Sequence, residues 1–384
     1  MHLRNNPPSH NRKGGGNNHG RNRHNSQNES AVQQAVQRII ANESLLATDS
    51  EKYATSKSLY GDPTARISSN LHSINDLIRI RAYESVLKNI KGKSVLHLGC
   101  GMGLISMLAA RSLASVVVAV DRSAIVEAAQ VVAEKNDLRN INFFRGSLLD
   151  TMNRFPVQKF DVIICEWMGT FLVNDPLLPD AIYARDNLLA ENGVMCPSSS
   201  SLHVVGVSDF PFHMDTVDYW SNVYGFSMEP MKGLVQSEVE TCSIPAANIV
   251  TNTCLAHTVD IETLKTPDNG VGVNDFVVPF SVRAVRNTTV NFLTFYVDAR
   301  FSNPHQPGAN FVLGIRPGGK NPWTEVSVAL LEPLPLMSGE TLGGEVRVQL
   351  QHSARGITVV HVTAWTSGGV VALKTSGTYN YQRY

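Results

Sequence analysis

No CxxC pair occurs among the five cysteines, Cys100, Cys165, Cys196, Cys242 and Cys254. Their odd number and scattered spacing suit buried free thiols in a reducing compartment, and no metal site is expected. Net charge is also missing. The chain carries 33 basic and 33 acidic residues, so bulk charge points to no partner. No apolar run reaches the roughly 18 residues of a membrane helix, and no apolar signal core follows Met1. A soluble, intracellular protein is expected, placed in the cytoplasm with the nucleus left open. No internal repeat is visible, so a solenoid is not expected.

What is present is enough apolar material for two packed domains and a tail: 384 residues, 43% of them hydrophobic. Residues 1–30 are rich in Asn, His, Gly and Arg, with Arg4, Arg12, Lys13, Arg21 and Arg23 opposed only by Glu29. Such a segment cannot bury enough apolar surface to order itself. A helical pattern at Ala31–Leu46 completes a first region, 1–50. A second helical pattern, Ile74–Ile90, carries Leu77, Ile78, Ile80, Tyr83, Val86 and Leu87 at helical spacing. Region 51–197 then alternates apolar strands (Ser94–Leu98, Val116–Val120, Phe160–Cys165) with helices (Leu104–Ser112, Ala124–Asn136). That order implies an α/β, Rossmann-like parallel sheet covered by helices. Region 198–384 changes to period-two stretches punctuated by Gly and Pro, such as Leu202–Val207, Val346–Leu350 and Ile357–Val362. These read as an antiparallel, barrel-like β domain. An aromatic segment, 210–226, interrupts its first strands.

Gly99, Gly101 and Gly103 lie between the first strand and the following helix. Glycines there permit a sharp turn and close approach of a ligand to a helix N-terminus, although an ordinary tight turn would use them too. Leu104 replaces the last glycine of the dinucleotide fingerprint, so the match is to the G-x-G-x-G loop of S-adenosylmethionine enzymes. Asp121 follows the second strand, 18 residues after Gly103. An acid there suits ribose hydroxyls; capping the next helix is its other reading.

The run Cys165-Glu166-Trp167-Met168-Gly169 after an apolar strand resembles the first half of the double-glutamate loop of protein arginine methyltransferases. The similarity extends through Tyr183-Ala184-Arg185-Asp186 and Asn222-Val223-Tyr224-Gly225-Phe226, and covers residues 55–384. It implies a cofactor-binding domain, a β-barrel-like domain and a dimerisation arm holding Tyr219, Trp220, Tyr224 and Phe226. It also implies a reason for two carboxylates. A guanidinium stays protonated, and two acids gripping its planar fork raise one nitrogen's electron density and aim it at a sulfonium methyl. By resemblance the two are Glu166 and Asp175, with Asp175 one methylene short of the family's glutamate and followed by Pro176. Arg79 falls where the family pairs the methionyl carboxylate.

Other positions depart from the pattern. His97 stands where the family has an acid for the methionyl ammonium. Leu149 replaces the acid for the adenine amino group, with Asp150 as a neighbouring substitute. Thr324-Glu325-Val326 replaces a Thr-His-Trp loop, and Tyr60-Gly61 replaces a Tyr-Phe pair. A scaffold kept while its chemical groups erode resembles the inactive "prozyme" subunit that pairs with an active arginine methyltransferase. The expectation is a non-catalytic subunit activating a type I enzyme within a heterodimer or larger complex, with doubtful binding of S-adenosylmethionine. The alternatives are a divergent active methyltransferase and an RNA-binding scaffold acting through residues 1–30.

Overall fold

The computed structural model describes residues 62, 65–172, 177–241, 243–265, 275–301, 311–314, 325–350, 357–367 and 373–382. The expected tail and helix of 1–50, Tyr60-Gly61, Asp175-Pro176, Thr324 and Cys242 lie outside these residues.

Two helices lead in, α1 (Ile67–Asn75) and α2 (Leu77–Val86). The sequence pattern suggested one helix over Ile74–Ile90, but Asp76 divides it. Its carboxylate accepts the N–H groups of Ile78 and Arg79, both at 3.0 Å, and so caps α2. Leu77 and Ile78, part of the apolar pattern at helical spacing, are exposed.

The first sheet has the order β3-β2-β1-β4-β5, all parallel. Its strands are β1 (Ser94–Leu98), β2 (Val116–Asp121), β3 (Ile141–Arg145), β4 (Phe160–Cys165) and β5 (Leu189–Cys196). Helices α3 (Leu104–Arg111), α4 (Ile125–Lys135), α5 (Leu148–Thr151) and α6 (Leu178–Leu188) connect them. Strands covered on both faces need apolar residues at successive positions, and Val117–Val120 are all buried. The strand order reverses beside β1, so the carboxyl ends of β1, β2 and β4 open on the crevice where such sheets bind ligands.

From Ser199 the chain is antiparallel. One sheet runs β7-β12-β10-β6-β8 with β11 paired to β10, and the other runs β15-β14-β13-β9. The strands are β6 (Ser199–Val207), β7 (Glu240–Thr241), β8 (Cys254–Asp260), β9 (Phe276–Arg283), β10 (Thr288–Phe301), β11 (Phe311–Leu313), β12 (Val326–Leu336), β13 (Thr341–Leu350), β14 (Ile357–Ser367) and β15 (Lys374–Gln382). The two sheets share a core: Val278, Phe280, Val346 and Val360 join one continuous cluster with Leu293, Phe295 and Val328. The same cluster reaches the parallel sheet through Trp167 and Phe171. The Trp167 indole N–H donates to the Pro197 carbonyl at 3.1 Å. Phe171 packs on Phe295 and Tyr381, with centroids 5.6 and 5.7 Å apart.

Between β6 and β7 the chain leaves the sheet. Helix α7 (Phe210–Thr216), a turn of 3₁₀ helix (Asp218–Ser221) and helix α8 (Pro230–Val235) form an excursion that runs past the expected limit at 226. Phe212 and buried Val217 anchor its base against Phe292.

Candidate functional site

Glu166 emerges from β4 at the sheet's carboxyl edge. Arg79 reaches it from α2, where the Asp76 cap fixes the first turn. The guanidinium donates through Nε to Oε1 at 2.5 Å and through Nη2 to Oε2 at 2.9 Å, a bidentate pair. The Tyr83 hydroxyl, one turn further along α2, donates to Oε1 at 3.0 Å. Burial alone would raise the Glu166 pKa, but the Arg79 charge outweighs it and holds the carboxylate ionised. Burial, seconded by Glu166, pushes the Tyr83 phenol well up, so it stays a donor. Tyr83 was visible in the sequence only as a core residue. Its signal is the i, i+4 spacing from Arg79, which puts both on one face of α2.

His97, on β1, is buried and shares a 2.8 Å hydrogen bond between its Nδ1 and Ser106 Oγ. Burial lowers its pKa to about 3, so the ring is neutral at physiological pH. The glycine loop follows. Gly101 and Gly103 have φ of +52° and +76°, which side chains rarely adopt. Asn70 of α1 lies over Gly101, and Leu177 lies against Gly99. Asp121 closes the loop from β2. Its Oδ2 accepts the Gly101 N–H at 2.7 Å and its Oδ1 the Ser123 N–H at 2.8 Å. Both readings of Asp121 are compatible with this, because each oxygen keeps a lone pair directed elsewhere. Burial raises its pKa, and the two backbone N–H groups oppose that shift.

The turn after β3 sits beside Asp121, whose carbonyl accepts the Gly146 N–H at 2.9 Å. Leu149 there is 54% exposed. Asp150 faces Ser147 instead of the crevice, accepting its hydroxyl at 2.5 Å and completing a capping box. Buried Glu325 accepts the Ile244 N–H at 3.1 Å, bracing the loop that follows β7.

Two family models match the chain, the methyltransferase domain over 89–244 and the arginine methyltransferase oligomerization subdomain over 198–360. Protein arginine N-methyltransferase 1 of Oryza sativa subsp. indica is 32% identical over 302 residues, covering 77% of this chain and 75% of the relative. The chain belongs to the protein arginine methyltransferases. Arabidopsis thaliana protein arginine N-methyltransferase 1.1 is 31% identical over the same length, covering 77% and 74%. Among solved structures, a chain of the Trypanosoma brucei PRMT1 enzyme-prozyme heterotetrameric complex with AdoHcy is 72% identical. The match has a TM-score of 0.79 and covers 83% of this chain and all of that one. Arabidopsis thaliana protein arginine methyltransferase 10 shares the fold at 18% identity and a TM-score of 0.69, covering 83% and 98%.

This arginine methyltransferase chain departs from what the family's cofactor requires at the amino-acid end. Arg79, where the resemblance places the partner of the methionyl carboxylate, pairs with both oxygens of Glu166 and donates through Nη1 to the Ser73 carbonyl at 3.2 Å. The methionyl ammonium needs an anion, and neutral His97 offers none. At the adenine end Asp150 is tied to Ser147 and Leu149 has no polar group. Asp121, where the pattern expects the ribose acid, is in place among the described residues. The residues present do not fit S-adenosylmethionine as a whole.

In the excursion, Tyr224 and Phe226 are 95% and 73% exposed. They lie on a turn in which Val223 and Phe226 exchange N–H···O bonds at 2.9 and 3.0 Å. Tyr219 is also exposed, with its ring edge-on to Trp220 at 5.5 Å. Trp220 is half-buried, and its indole N–H donates to the Thr216 carbonyl at 3.0 Å. Four arm residues were singled out by sequence; their structural settings divide them into presented rings and a brace.

Proposed function

We propose that this chain is a non-catalytic subunit of an arginine methyltransferase complex, binding an active family member through the aromatic arm and raising its activity. One observation carries the reading. Glu166 is the acid that would grip the substrate guanidinium, and it is already gripped, two oxygens to two nitrogens, by the chain's own Arg79. A substrate arginine must displace a charge-assisted pair of the same geometry before it can bind. His97 and Leu149 weaken the methyl donor's side of the same reaction. The 72% identity to a chain of an enzyme-prozyme complex supports this reading. The exposed arm supports it too, because projecting aromatic surface is typical of interfaces.

A divergent active enzyme is the second reading, and the ionised state of Glu166 is what favours it. The two part in one assay. The pure chain is incubated with S-adenosylmethionine and an Arg-Gly-rich peptide, alone and with an active family member from the same cell. Background transfer alone and enhanced transfer by the mixture are expected. Robust turnover by the pure chain, abolished by Glu166→Gln, would show that it is an enzyme in its own right.

A further inference from the structure

We propose that His213 makes the arm acid-sensitive: its protonation loosens the arm's base, so that association with a partner is favoured at neutral pH and reversed in acid. This rests on the reading of the arm as the surface that binds an active family member, and it adds a control on that binding. His213 lies on α7, where the chain leaves β6 for the excursion. Its ring stands edge-on to Phe292 of β10, with centroids 5.9 Å apart, at the apolar patch that anchors the arm. The two ring nitrogens meet different surroundings. Nδ1 is 3.1 Å from Asp218 Oδ2, whereas Nε2 is buried without a hydrogen-bond partner among the described residues.

The charged and polar groups around this base come from several elements. Asp218 belongs to the 3₁₀ turn. Lys232 of α8 approaches the same carboxylate at 3.6 Å and also meets Glu229 at 3.4 Å. Asp209, the cap of α7, accepts the Phe212 N–H and the Asn248 side-chain amide. Asn291 of β10 is fully buried, and its Oδ1 accepts the Asp209 N–H at 2.9 Å. Its Nδ2 has no partner among the described residues, so the atom left over there is a donor.

The neutral ring suits this setting. With its proton on Nδ1 it donates to Asp218, and Nε2 carries only a lone pair. Protonation has two opposed effects. The Asp218 pair becomes ionic, but Asp218 is 49% exposed and shared with Lys232, and exposed pairs contribute little. Against this, a charged N–H appears on a side chain that is 12% exposed, at an atom that no acceptor reaches. An orphaned charged donor costs more than an exposed pair returns, so the second effect wins. The ring escapes that cost by turning Nε2 to water, which takes it off Phe292 and parts α7 from β10. Tyr224 and Phe226 are carried by the segment that α7 begins, so their placement loosens with it.

The test is sedimentation of the full chain mixed with an active family member from the same cell, at about pH 7.5 and 5.5, either side of the ordinary histidine value. One proton taken up on dissociation weakens association by up to about tenfold per pH unit. His213→Asn places an amide donor where Nδ1 lies and cannot titrate. Over this interval the parent should lose about tenfold more association than His213→Asn, a difference that removes any titration belonging to the partner. His203→Gln is the control. His203 repeats the pattern on β6, with Nε2 2.9 Å from Asp298 and Nδ1 buried without a partner among the described residues, but it stands on the sheet and not on the arm. That variant should keep the parent's slope. Hydrogen exchange of residues 210–235 in the single chain is a second readout, decisive even where His213→Asn does not fold. Corrected for intrinsic rates, protection in the parent should fall in acid. Equal slopes for parent and His213→Asn overturn the proposal, as do a slope lost in His203→Gln and arm amides that keep full protection in acid. If the mixture associates with equal slopes, this inference falls and the subunit reading stands. If it associates at neither pH, both fall.

Discussion

At the scale of single residues, the charges of the crevice set its stability as well as its chemistry. Arg79→Ala would leave the Glu166 carboxylate half-buried with the Tyr83 hydroxyl as its remaining partner described above. Breaking such a pair from one side strands a desolvated charge, and a loss of about 2–4 kcal/mol is expected by chemical denaturation. Arg79→Ala combined with Glu166→Gln should recover part of that loss; if the double variant is no better than the single, the pair is not what stabilises the crevice. His97 gives a pH dependence of definite sign. Its folded pKa, about 3, lies below its ordinary 6.5, so the unfolded chain binds more protons in between. Stability from keeping the ring neutral is present above about pH 6.5 and is lost as pH falls towards 3, at roughly 1.4 kcal/mol per unit. His97→Gln should flatten the dependence of unfolding free energy on pH between about 6 and 4, relative to the parent chain. Parallel slopes for the two proteins would mean that His97 protonates freely in the fold.

At the scale of elements, the arm divides its labour between rings that face outward and rings that brace. Tyr224 has φ of +50° and Gly225 of +89°, so the turn spends some backbone strain to hold the tyrosine at its tip. Asp218, on the arm's surface, meets His213 Nδ1 at 3.1 Å and Lys232 Nζ at 3.6 Å and so links α7 to α8. Tyr224→Ala and Phe226→Ala should each weaken association with the active subunit by about 2 kcal/mol or more, while unfolding free energy shifts by less than about 0.5 kcal/mol. Trp220→Ala should instead destabilise the isolated chain, because its indole braces the Thr216 carbonyl. Sedimentation of mixed subunits and melting of the single chain separate these effects; full association by both exposed-ring variants would place the interface elsewhere. Elements were unevenly legible in the sequence. Val116–Val120 and Phe160–Cys165 were readable because strands buried on both faces are apolar at every position. Ile141–Arg145 was not, since it is short and only half-buried, and neither was Leu189–Cys196, whose apolar run is broken where Glu191 and Asn192 face solvent. The site followed the same logic. Glu166 and Asp121 were legible from local motifs, whereas the Arg79–Glu166 pair joins residues 87 apart, which no local pattern encodes.

At the scale of the whole molecule, the question is whether two architectures make two units. The chain passes from the parallel sheet to the antiparallel ones within a few residues, from Cys196 to Ser199. The core does not divide there. Tyr83 of α2 meets Phe301 of β10 edge-on at 5.2 Å, and the Phe171 ring lies between Phe295 and Tyr381. Thr170 Oγ1 and the Tyr381 hydroxyl share a 3.0 Å hydrogen bond across the same seam. Arg185 of α6 donates to the carbonyls of Ile261 and Leu264, tying a helix of the first layer to the end of β8. Apolar contact of this continuity couples the two parts, because neither can expose its seam without losing buried area on both sides. The described fold should therefore melt in one transition, with calorimetric and van't Hoff enthalpies equal. Phe171→Ala should lower the stability of the whole by about 3–5 kcal/mol, the range for emptying a large buried ring site. Arg185→Ala should act in the same direction but more weakly, since it gives up two neutral carbonyl acceptors and an Asp186 carboxylate exposed enough for water to solvate. The discriminating measurement is the shape of the Phe171→Ala transition. A single peak displaced downward means the seam belongs to one cooperative core; two peaks, one at the parent's temperature, would mean that the sheets unfold separately and that the seam only fastens them together.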